Sequence, residues 1–267
     1  MGVQKALTIA GSDSGGGAGV QADLKTFSAL GVYGASVVTA ITAQNTKVVA
    51  GVTEVAPEIV ALQLDTVLAD IAIDAIKVGM LFSAGIVEAV APRLRGFLGA
   101  VVVDPVMVAK SGDALLEPQA MAALAARLLP CATLLTPNLP EAARLLGTRE
   151  AGTVAEMAAQ GAALRALGAR AVLMKGGHGR DATCTDVLVT DAAEPVLIAA
   201  PRHATRNTHG TGCSYSSAIV AELAKGRALE AAVRRAHAWL QAAIAAADGL
   251  EIGGGRGPVH HFHGIWP

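Results

Sequence analysis

The residues best suited to chemistry lie at 207–213, Asn-Thr-His-Gly-Thr-Gly-Cys, directly before a segment of helical character. Gly210 and Gly212 let the backbone turn so that successive N–H groups point at one anion, and the helix that follows adds unpaired N–H donors and the positive end of its dipole. The same field would stabilise a thiolate, which predicts a lowered pKa for Cys213. This arrangement favours phosphoryl transfer to a substrate hydroxyl. A glycine-rich helix start with a merely buried cysteine is the alternative.

Length, composition and charge exclude several classes of protein. The chain has 267 residues, 52% of them hydrophobic, which is enough for a large α/β core. A net charge of −1 gives no reason to expect a nucleic-acid partner. No apolar run approaches the roughly 18 residues of a membrane span and no signal peptide precedes Lys5, so we expect a cytoplasmic protein without a membrane partner. Three widely spaced cysteines without a CxxC pair argue against a disulfide framework and a zinc site.

Strand and helix patterns alternate along the chain. Continuous apolar runs are typical of parallel strands buried on both faces, and they occur at residues 6–10, 37–41, 75–79, 100–105, 133–138 and 171–177. Two further strands, 186–189 and 196–199, are joined by a short polar stretch and are predicted to be antiparallel. The sequence therefore predicts an α/β fold with a mostly parallel central sheet and helices on both faces. We expect one domain over residues 1–267, with 251–267, including its histidines, as a peripheral and mobile tail.

Polar and glycine residues cluster where the predicted strands end. Ligands of such sheets bind beyond the carboxyl ends of the strands. We therefore expect one rim of the sheet to collect the residues that follow these strands, namely Gly11, Gln44, Met80, Asp104, Asn138, Glu141 and Lys175.

Seven motifs together resemble those of the hydroxymethylpyrimidine/phosphomethylpyrimidine kinases of thiamine biosynthesis, a branch of the ribokinase-like superfamily. In chain order they are residues 8–27, 38–46, 77–81, 104–112, 136–142, 175–178 and 207–213. The resemblance implies a ribokinase-like fold and a kinase that uses ATP and Mg²⁺. Its substrates would be the small molecule 4-amino-5-hydroxymethyl-2-methylpyrimidine and then the monophosphate of this pyrimidine. A homodimer is common in the family.

The resemblance implies a role for the residues around Cys213. This cysteine occupies the position where sugar kinases of the superfamily carry an aspartate base, so it would accept the proton of the substrate hydroxymethyl group. The N–H groups of Gly210, Thr211 and Gly212 would stabilise the charge that develops on the transferring phosphoryl group.

The substrate side carries the second group of implied roles. Gln44 resembles the residue that reads the pyrimidine, because a carboxamide can form paired hydrogen bonds with an aminopyrimidine edge. Asp23 resembles another polar residue on this side, although a solvated or capping role is equally open. Lys110 is a candidate for the phosphate of a phosphorylated substrate. Close backbone approach and apolar walls are expected from Gly11, Met80 and Val106.

The nucleotide side depends on weaker single signals. Asn138 and Glu141 resemble the Asn-x-x-Glu element that helps to hold magnesium and its waters, and Asp104 would assist the metal. Asn138 could also be only a helix N-cap. Lys175 would reach a phosphate of ATP as a point charge. His209 receives no catalytic role.

Three rival functions stay open at this point. A pyridoxal kinase is the nearest, and a hydroxyethylthiazole kinase shares a Gly-Thr-Gly-Cys element. A non-catalytic, ligand-sensing descendant of the kinase is the third. Rates of ATP consumption with each alcohol would distinguish them.

Overall fold

The computed structural model describes residues 2–107, 118–179 and 182–266. These ranges contain nine strands and eight α-helices. In chain order the elements are β1 (Lys5–Asp13), α1 (Gly19–Ala29), β2 (Tyr33–Gln44), β3 (Val49–Glu54), α2 (Pro57–Asp70), β4 (Ala75–Val78), α3 (Ala84–Leu94), β5 (Ala100–Val103), α4 (Pro118–Ala123), β6 (Leu134–Leu135), α5 (Leu139–Leu146), α6 (Val154–Ala166), β7 (Val172–Met174), β8 (Thr183–Val189), β9 (Val196–Pro201), α7 (Thr211–Ala224) and α8 (Leu229–Ala245).

The nine strands form one sheet in the order β3-β2-β1-β4-β5-β6-β7-β8-β9. The six neighbouring strands β2-β1-β4-β5-β6-β7 all pair in parallel, which confirms the predicted parallel centre. The predicted antiparallel pairing of β8 with β9 is also confirmed. β3 was not predicted from the sequence; it pairs antiparallel with β2 at the edge of the sheet.

Helices cover both faces of the sheet, as predicted. Alternate residues of a strand point to opposite faces, and β1 shows this directly. Leu7 and Ile9 pack in a core with α2, α3, α5 and α6, whereas Ala6 packs in a second core with α1, α7 and α8. Short runs of valine, leucine and alanine suit these strands because both of their faces are buried.

The order of the strands places the ligand site. β1 lies between β2 and β4 in the sheet. The chain runs from β1 through α1 to β2 on one side, and later returns through α2 to β4 on the other side. Such a switch point opens a crevice at the carboxyl ends of the strands. The glycine-rich residues 14–18 follow β1 there and lead into α1.

The carboxyl-terminal segment differs from its prediction as a peripheral, mobile tail. Residues 257–261 are buried. The Gly257 carbonyl accepts from the His209 N–H at 3.0 Å, and Ser214 Oγ lies 2.9 Å from His261 Nε2. Burial lowers the pKa of His261 to about 3, so its ring is neutral at pH 7. The peripheral assignment is therefore wrong for these residues, which pack against the start of α7.

Among the described helices, none combines the length and the apolar character of a membrane span.

Candidate active site

Helix α7 begins at the predicted glycine-rich motif. Gly210 is its N-cap with a φ of 73°, a left-handed conformation that glycine adopts without strain. A Cβ at this position would collide with the carbonyl oxygen of Gly17. Cys213 is the third residue of the helix, within the first turn whose N–H groups lack helical partners. The structure thus places Cys213 in a cradle formed by two glycine-containing segments.

A fully buried ion pair lies beside Cys213. Lys77 Nζ is 2.8 Å from Asp23 Oδ2, and both side chains have no exposed surface. Thr8 Oγ1 donates to the same carboxylate oxygen at 2.6 Å, and Ser217 Oγ donates to Asp23 Oδ1 at 2.7 Å. Ser217 follows Cys213 by four residues, so both lie on one face of α7. Asp23 therefore has no exposed surface and is hydrogen-bonded inside the protein, so the solvated alternative is wrong, and its place on the substrate side stays a prediction.

The pKa of Cys213 differs from the prediction. Removal of the thiol from water raises its pKa to about 11, although the Lys77 ammonium and the Gly19 N–H act in the opposite direction. The carboxylates of Asp23 and Asp104 raise it further. The predicted lowering is wrong because the loss of water around the sulfur of this half-buried residue outweighs the Lys77 ammonium and the Gly19 N–H.

A second pair of charges lies near Cys213. Asp104, directly after β5, accepts from Lys175 Nζ at 2.7 Å and from Thr136 Oγ1 at 3.1 Å. Burial favours the neutral form of Lys175, but the carboxylates of Asp104 and Glu141 outweigh it and raise the lysine pKa. Lys175 is thus held as a cation at the end of β7, where a phosphate could reach it.

Asn138 and Glu141 form a reciprocal cap at the start of α5. Asn138 Oδ1 accepts from the Glu141 N–H at 2.9 Å, and Glu141 Oε2 accepts from the Asn138 N–H at 2.8 Å. The capping interpretation of Asn138 is therefore correct. Burial and the Asp104 charge raise the pKa of Glu141 to about 7, while Lys175 lowers it. The cap holds a buried carboxylate next to the Asp104–Lys175 pair.

The carboxylates of this region suit a divalent cation in part. Asp104 and Glu141 offer carboxylate oxygens, the ligand type that Mg²⁺ prefers, and neighbouring oxygens from water or phosphate could complete its shell. The described residues contain no group of three or more His, Cys, Asp or Glu side chains placed to hold a metal. The donor set therefore fits Mg²⁺ bound mainly by phosphate and water.

The first helical turns of α7 are fastened through three serines. Ser217 donates to Asp23 on α1, and Ser216 Oγ lies 3.4 Å from Asp104 Oδ2 after β5. Ser214 contacts His261 of the carboxyl-terminal segment. The cradle is thus tied to three separate parts of the chain.

The expected apolar walls come together at the end of β2. Met80 packs with Ala40, and Val106 lies against the same cluster. A Cβ on Gly11 would approach Met80 Cε to 2.8 Å, so the glycine makes room for this side chain. Met107 is buried as well. Lys110 lies outside the described residues.

Gln44 and His209 line a cavity of about 510 Å³. His209 Nε2 lies 2.8 Å from Asp13 Oδ2, and this contact was missed by the sequence analysis. Asp13 also accepts N–H groups of Gly15 and Ala18, both at 2.8 Å. Burial acts against the Asp13 carboxylate, yet these contacts hold its pKa below the usual value. The glycine-rich loop is therefore folded around a charged Asp13 that fixes His209.

Replacement of Gly210 by alanine should abolish most of the activity. Alanine at this position has to adopt the left-handed conformation, which costs about 1–2 kcal/mol for a residue with a side chain. Its methyl group also displaces the Gly17 backbone. We expect kcat to fall by at least about 100-fold, because small misplacement of catalytic groups has effects of that size. Gly226→Ala is the matched control, since Gly226 has a φ of 79° and nothing within 4 Å of an added Cβ. Gly226→Ala should lower the stability of the protein and leave kcat unchanged. Equal losses of kcat in the two variants would contradict the prediction.

Known proteins resemble this chain over nearly its whole length. Residues 13–260 match the family model of phosphomethylpyrimidine kinases. The hydroxymethylpyrimidine/phosphomethylpyrimidine kinase of Rhizobium meliloti (strain 1021) is 59% identical over 261 residues, 98% of each chain. Phosphomethylpyrimidine kinase from Clostridium difficile 630 has a TM-score of 0.79 at 42% identity, covering 90% of this chain and 99% of its own. Pyridoxal kinase from Staphylococcus aureus in complex with AMP-PCP and pyridoxal has a TM-score of 0.90 at 33% identity, covering 99% and 96%. With a matching family model, a close full-length relative and the same ribokinase-like fold, the chain belongs to the phosphomethylpyrimidine kinase family.

Proposed function

We propose that the chain transfers the γ-phosphoryl group of ATP to 4-amino-5-hydroxymethyl-2-methylpyrimidine and then to the resulting monophosphate, for thiamine biosynthesis. The 59% identical relative of Rhizobium meliloti is a hydroxymethylpyrimidine/phosphomethylpyrimidine kinase, which makes this chain a kinase of the same kind. The observation that supports the chemistry best is the position of Cys213. It lies in the first turn of α7, between the Lys77–Asp23 pair and the Lys175–Asp104 pair.

In the first step the substrate hydroxyl oxygen attacks the γ-phosphorus, the bond from this phosphorus to the β-phosphate oxygen breaks and releases ADP, and the hydroxyl proton passes to the thiolate form of Cys213. Because the pKa of this thiol is raised to about 11, the thiolate is the minor form at neutral pH, and this step should become faster as the pH rises. The buried Lys77 ammonium and the Gly19 N–H stabilise negative charge on this sulfur. The N–H of Gly212 stabilises the charge that develops on the transferring group, together with the N–H of Thr211, which also donates to the Thr208 carbonyl at 3.3 Å. Lys175 neutralises phosphate charge. Mg²⁺, held by Glu141 and Asp104, would neutralise charge on the phosphates when bound.

The second step needs less help from the protein. A phosphate monoester has a second pKa of about 6, so its oxygen is largely ionised at neutral pH. No proton has to leave the attacking atom. We therefore assign Cys213 to the first step and the cradle of N–H groups to both steps.

The substrate pocket would be formed by Gln44 and the apolar walls. The Gln44 carboxamide would pair with the aminopyrimidine edge. Met80 and Val106 would contact the ring, and Gly11 would allow close approach of the backbone. Asn138 would act through Glu141. Binding of a substrate phosphate by Lys110, a homodimer, a cytoplasmic location and the lack of a nucleic-acid partner stay predictions.

Pyridoxal is the second candidate substrate. The observation in its favour is the TM-score of 0.90 to the Staphylococcus aureus pyridoxal kinase, a structure that contains pyridoxal. Against it stands the higher identity to the hydroxymethylpyrimidine kinase, 59% compared with 33%.

The deciding experiment measures ATP consumption with the pyrimidine alcohol, its monophosphate, pyridoxal and hydroxyethylthiazole, each supplied separately. We expect turnover of both pyrimidines and little turnover of the others. Turnover led by pyridoxal would overturn the assignment of the substrate while leaving the phosphoryl transfer. Absence of turnover with all four would favour the ligand-sensing alternative.

A further inference from the structure

The carboxamide of Gln44 has two neighbours that determine its orientation. In the structure the amide nitrogen lies 3.3 Å from His209 Nε2 and the amide oxygen lies 3.2 Å from Thr42 Oγ1, and a rotation of the amide by 180° would exchange the two atoms. The carboxamide nitrogen and oxygen have nearly the same size, so the hydrogen bonds must decide which atom faces which neighbour.

The end of the Gln44 amide beside His209 has to be a hydrogen-bond acceptor. Asp13 is an ionised carboxylate that accepts three backbone N–H groups, from Gly15, Gly17 and Ala18. His209 Nε2 lies 2.8 Å from its Oδ2, so Nε2 must carry a hydrogen and donate it. A nitrogen that donates cannot accept from an amide N–H. The end of Gln44 beside His209 is therefore the oxygen, which shares this N–H with Asp13.

The end of the Gln44 amide beside Thr42 has to be a hydrogen-bond donor. The Thr42 hydroxyl has one hydrogen, and Oγ1 lies 2.9 Å from the Ser12 carbonyl oxygen, which can only accept. Oγ1 is left with lone pairs toward Gln44. The nitrogen of the amide meets this need, so both neighbours favour the same orientation independently.

The position of His209 is itself fixed by the surrounding backbone. A Cβ on Gly17 would collide with the imidazole ring, so the glycine allows the ring to approach the loop closely. The His209 N–H donates to Gly257, and its carbonyl accepts from Val259 at 3.4 Å. The ring therefore has little freedom to turn away from Gln44.

We propose that His209, fixed by Asp13, is a specificity-determining positioning residue that, together with Thr42, holds the Gln44 carboxamide with its oxygen toward His209 and its nitrogen toward Thr42. This inference rests on the proposed function. The Gln44 side chain belongs to a residue that lines the 510 Å³ cavity. A carboxamide has a second lone pair and a second N–H, which a ligand in this cavity would use. A 4-aminopyrimidine would place its amino group at the oxygen and ring nitrogen N3 at the N–H.

The fixed orientation discriminates between two edges of the same shape. A 4-oxopyrimidine with a hydrogen on N3 has the reversed pattern, acceptor where the amine donates and donor where N3 accepts. It can satisfy a fixed amide only by exchanging the places of its two edge atoms. Because the hydroxymethyl group is on C5, next to C4, this exchange moves the alcohol away from Cys213. An amide free to turn by 180° would accept both patterns.

The test compares kcat/KM for the 4-amino alcohol and its 4-oxo analogue. In the unmodified protein we expect a preference of at least about 10³-fold for the amine, since sites that pair with polar substrate groups reject mismatched ones by large factors. His209→Met removes the donor and should reduce this ratio to about 10–100-fold, while the KM for ATP stays unchanged. His209→Gln keeps an N–H near the Nε2 position and should retain most of the preference.

Thr42→Val gives an independent second variant, because valine suits a β-strand and removes the acceptor on the other side of the amide. It should also lower the ratio. An unchanged ratio in both His209→Met and Thr42→Val would overturn the inference, as would equal losses in His209→Gln and His209→Met. If the unmodified protein fails to phosphorylate the 4-amino alcohol at all, the proposed function fails instead.

Discussion

Cys213→Ala should lower kcat for phosphorylation of the pyrimidine alcohol by about 10²–10⁴-fold, the usual contribution of a positioned proton acceptor. The alcohol oxygen must lose its proton as the new bond forms, and alanine cannot take it. The same variant should lose less than about tenfold with the monophosphate, whose attacking oxygen is already ionised. Steady-state rates with each acceptor at saturating ATP measure the two effects.

Two other cysteines provide the control for this experiment. Cys131 and Cys184 are not part of the cradle, so Cys131→Ala and Cys184→Ala should leave both rates nearly unchanged. Equal losses with alcohol and monophosphate in Cys213→Ala would contradict the role as proton acceptor. The thiol would then contribute only to the shape of the cradle.

Lys77→Met should destabilise the protein by about 3–5 kcal/mol, the cost of leaving one partner of a buried ion pair without the other. Asp23 has no exposed surface, and methionine cannot replace the ammonium that lies 2.8 Å from it. Urea unfolding at pH 7 measures the loss. Arg93→Met is the contrasting control, because the Arg93–Asp65 pair is partly exposed and such pairs contribute only about 0–1 kcal/mol.

The double variant Asp23→Asn/Lys77→Met separates stability from catalysis. It removes both buried charges and should recover most of the lost stability. Phosphorylation of the alcohol should stay impaired, because the Lys77 ammonium favours the Cys213 thiolate more strongly than the Asp23 carboxylate, removed with it, opposes the thiolate. In a background with Cys131→Ala and Cys184→Ala, alkylation of Cys213 at a given pH should also become slower. A double variant that phosphorylates the alcohol at the original rate would contradict this role of Lys77.

The fold could be predicted from the sequence because its strands are continuous apolar runs separated by helical spacing. β3 was missed because Val49–Glu54 lies at the sheet edge with mostly exposed residues and carries no such run. The carboxyl-terminal segment was misjudged for a similar reason. Its glycines and histidines are typical of a loose tail, and only tertiary contacts such as His261 with Ser214 bury it.

The parts of the candidate site that one continuous motif specifies were predicted from the sequence. The parts that depend on contacts between residues distant in the chain were missed. The glycine motif before Cys213 specifies its own geometry, so the cradle was found. The depth of burial was not in the motif, and burial decides the pKa of Cys213. The partnership of Asp13 with His209 joins residues 196 positions apart, and nothing local to either residue indicates it. Lys77 gave one usable signal, a lone lysine inside the buried strand Ala75–Val78.

The three serine contacts of α7 have a consequence for the order of events. A helix start tied to α1, to the residue after β5 and to the carboxyl-terminal segment cannot follow an acceptor that grows by one phosphoryl group. The acceptor must shift instead, and the pyrimidine ring has to leave the position that it holds during the first transfer. We therefore expect the monophosphate to dissociate and to exchange with free monophosphate in solution, so that the two transfers take place in two separate binding events.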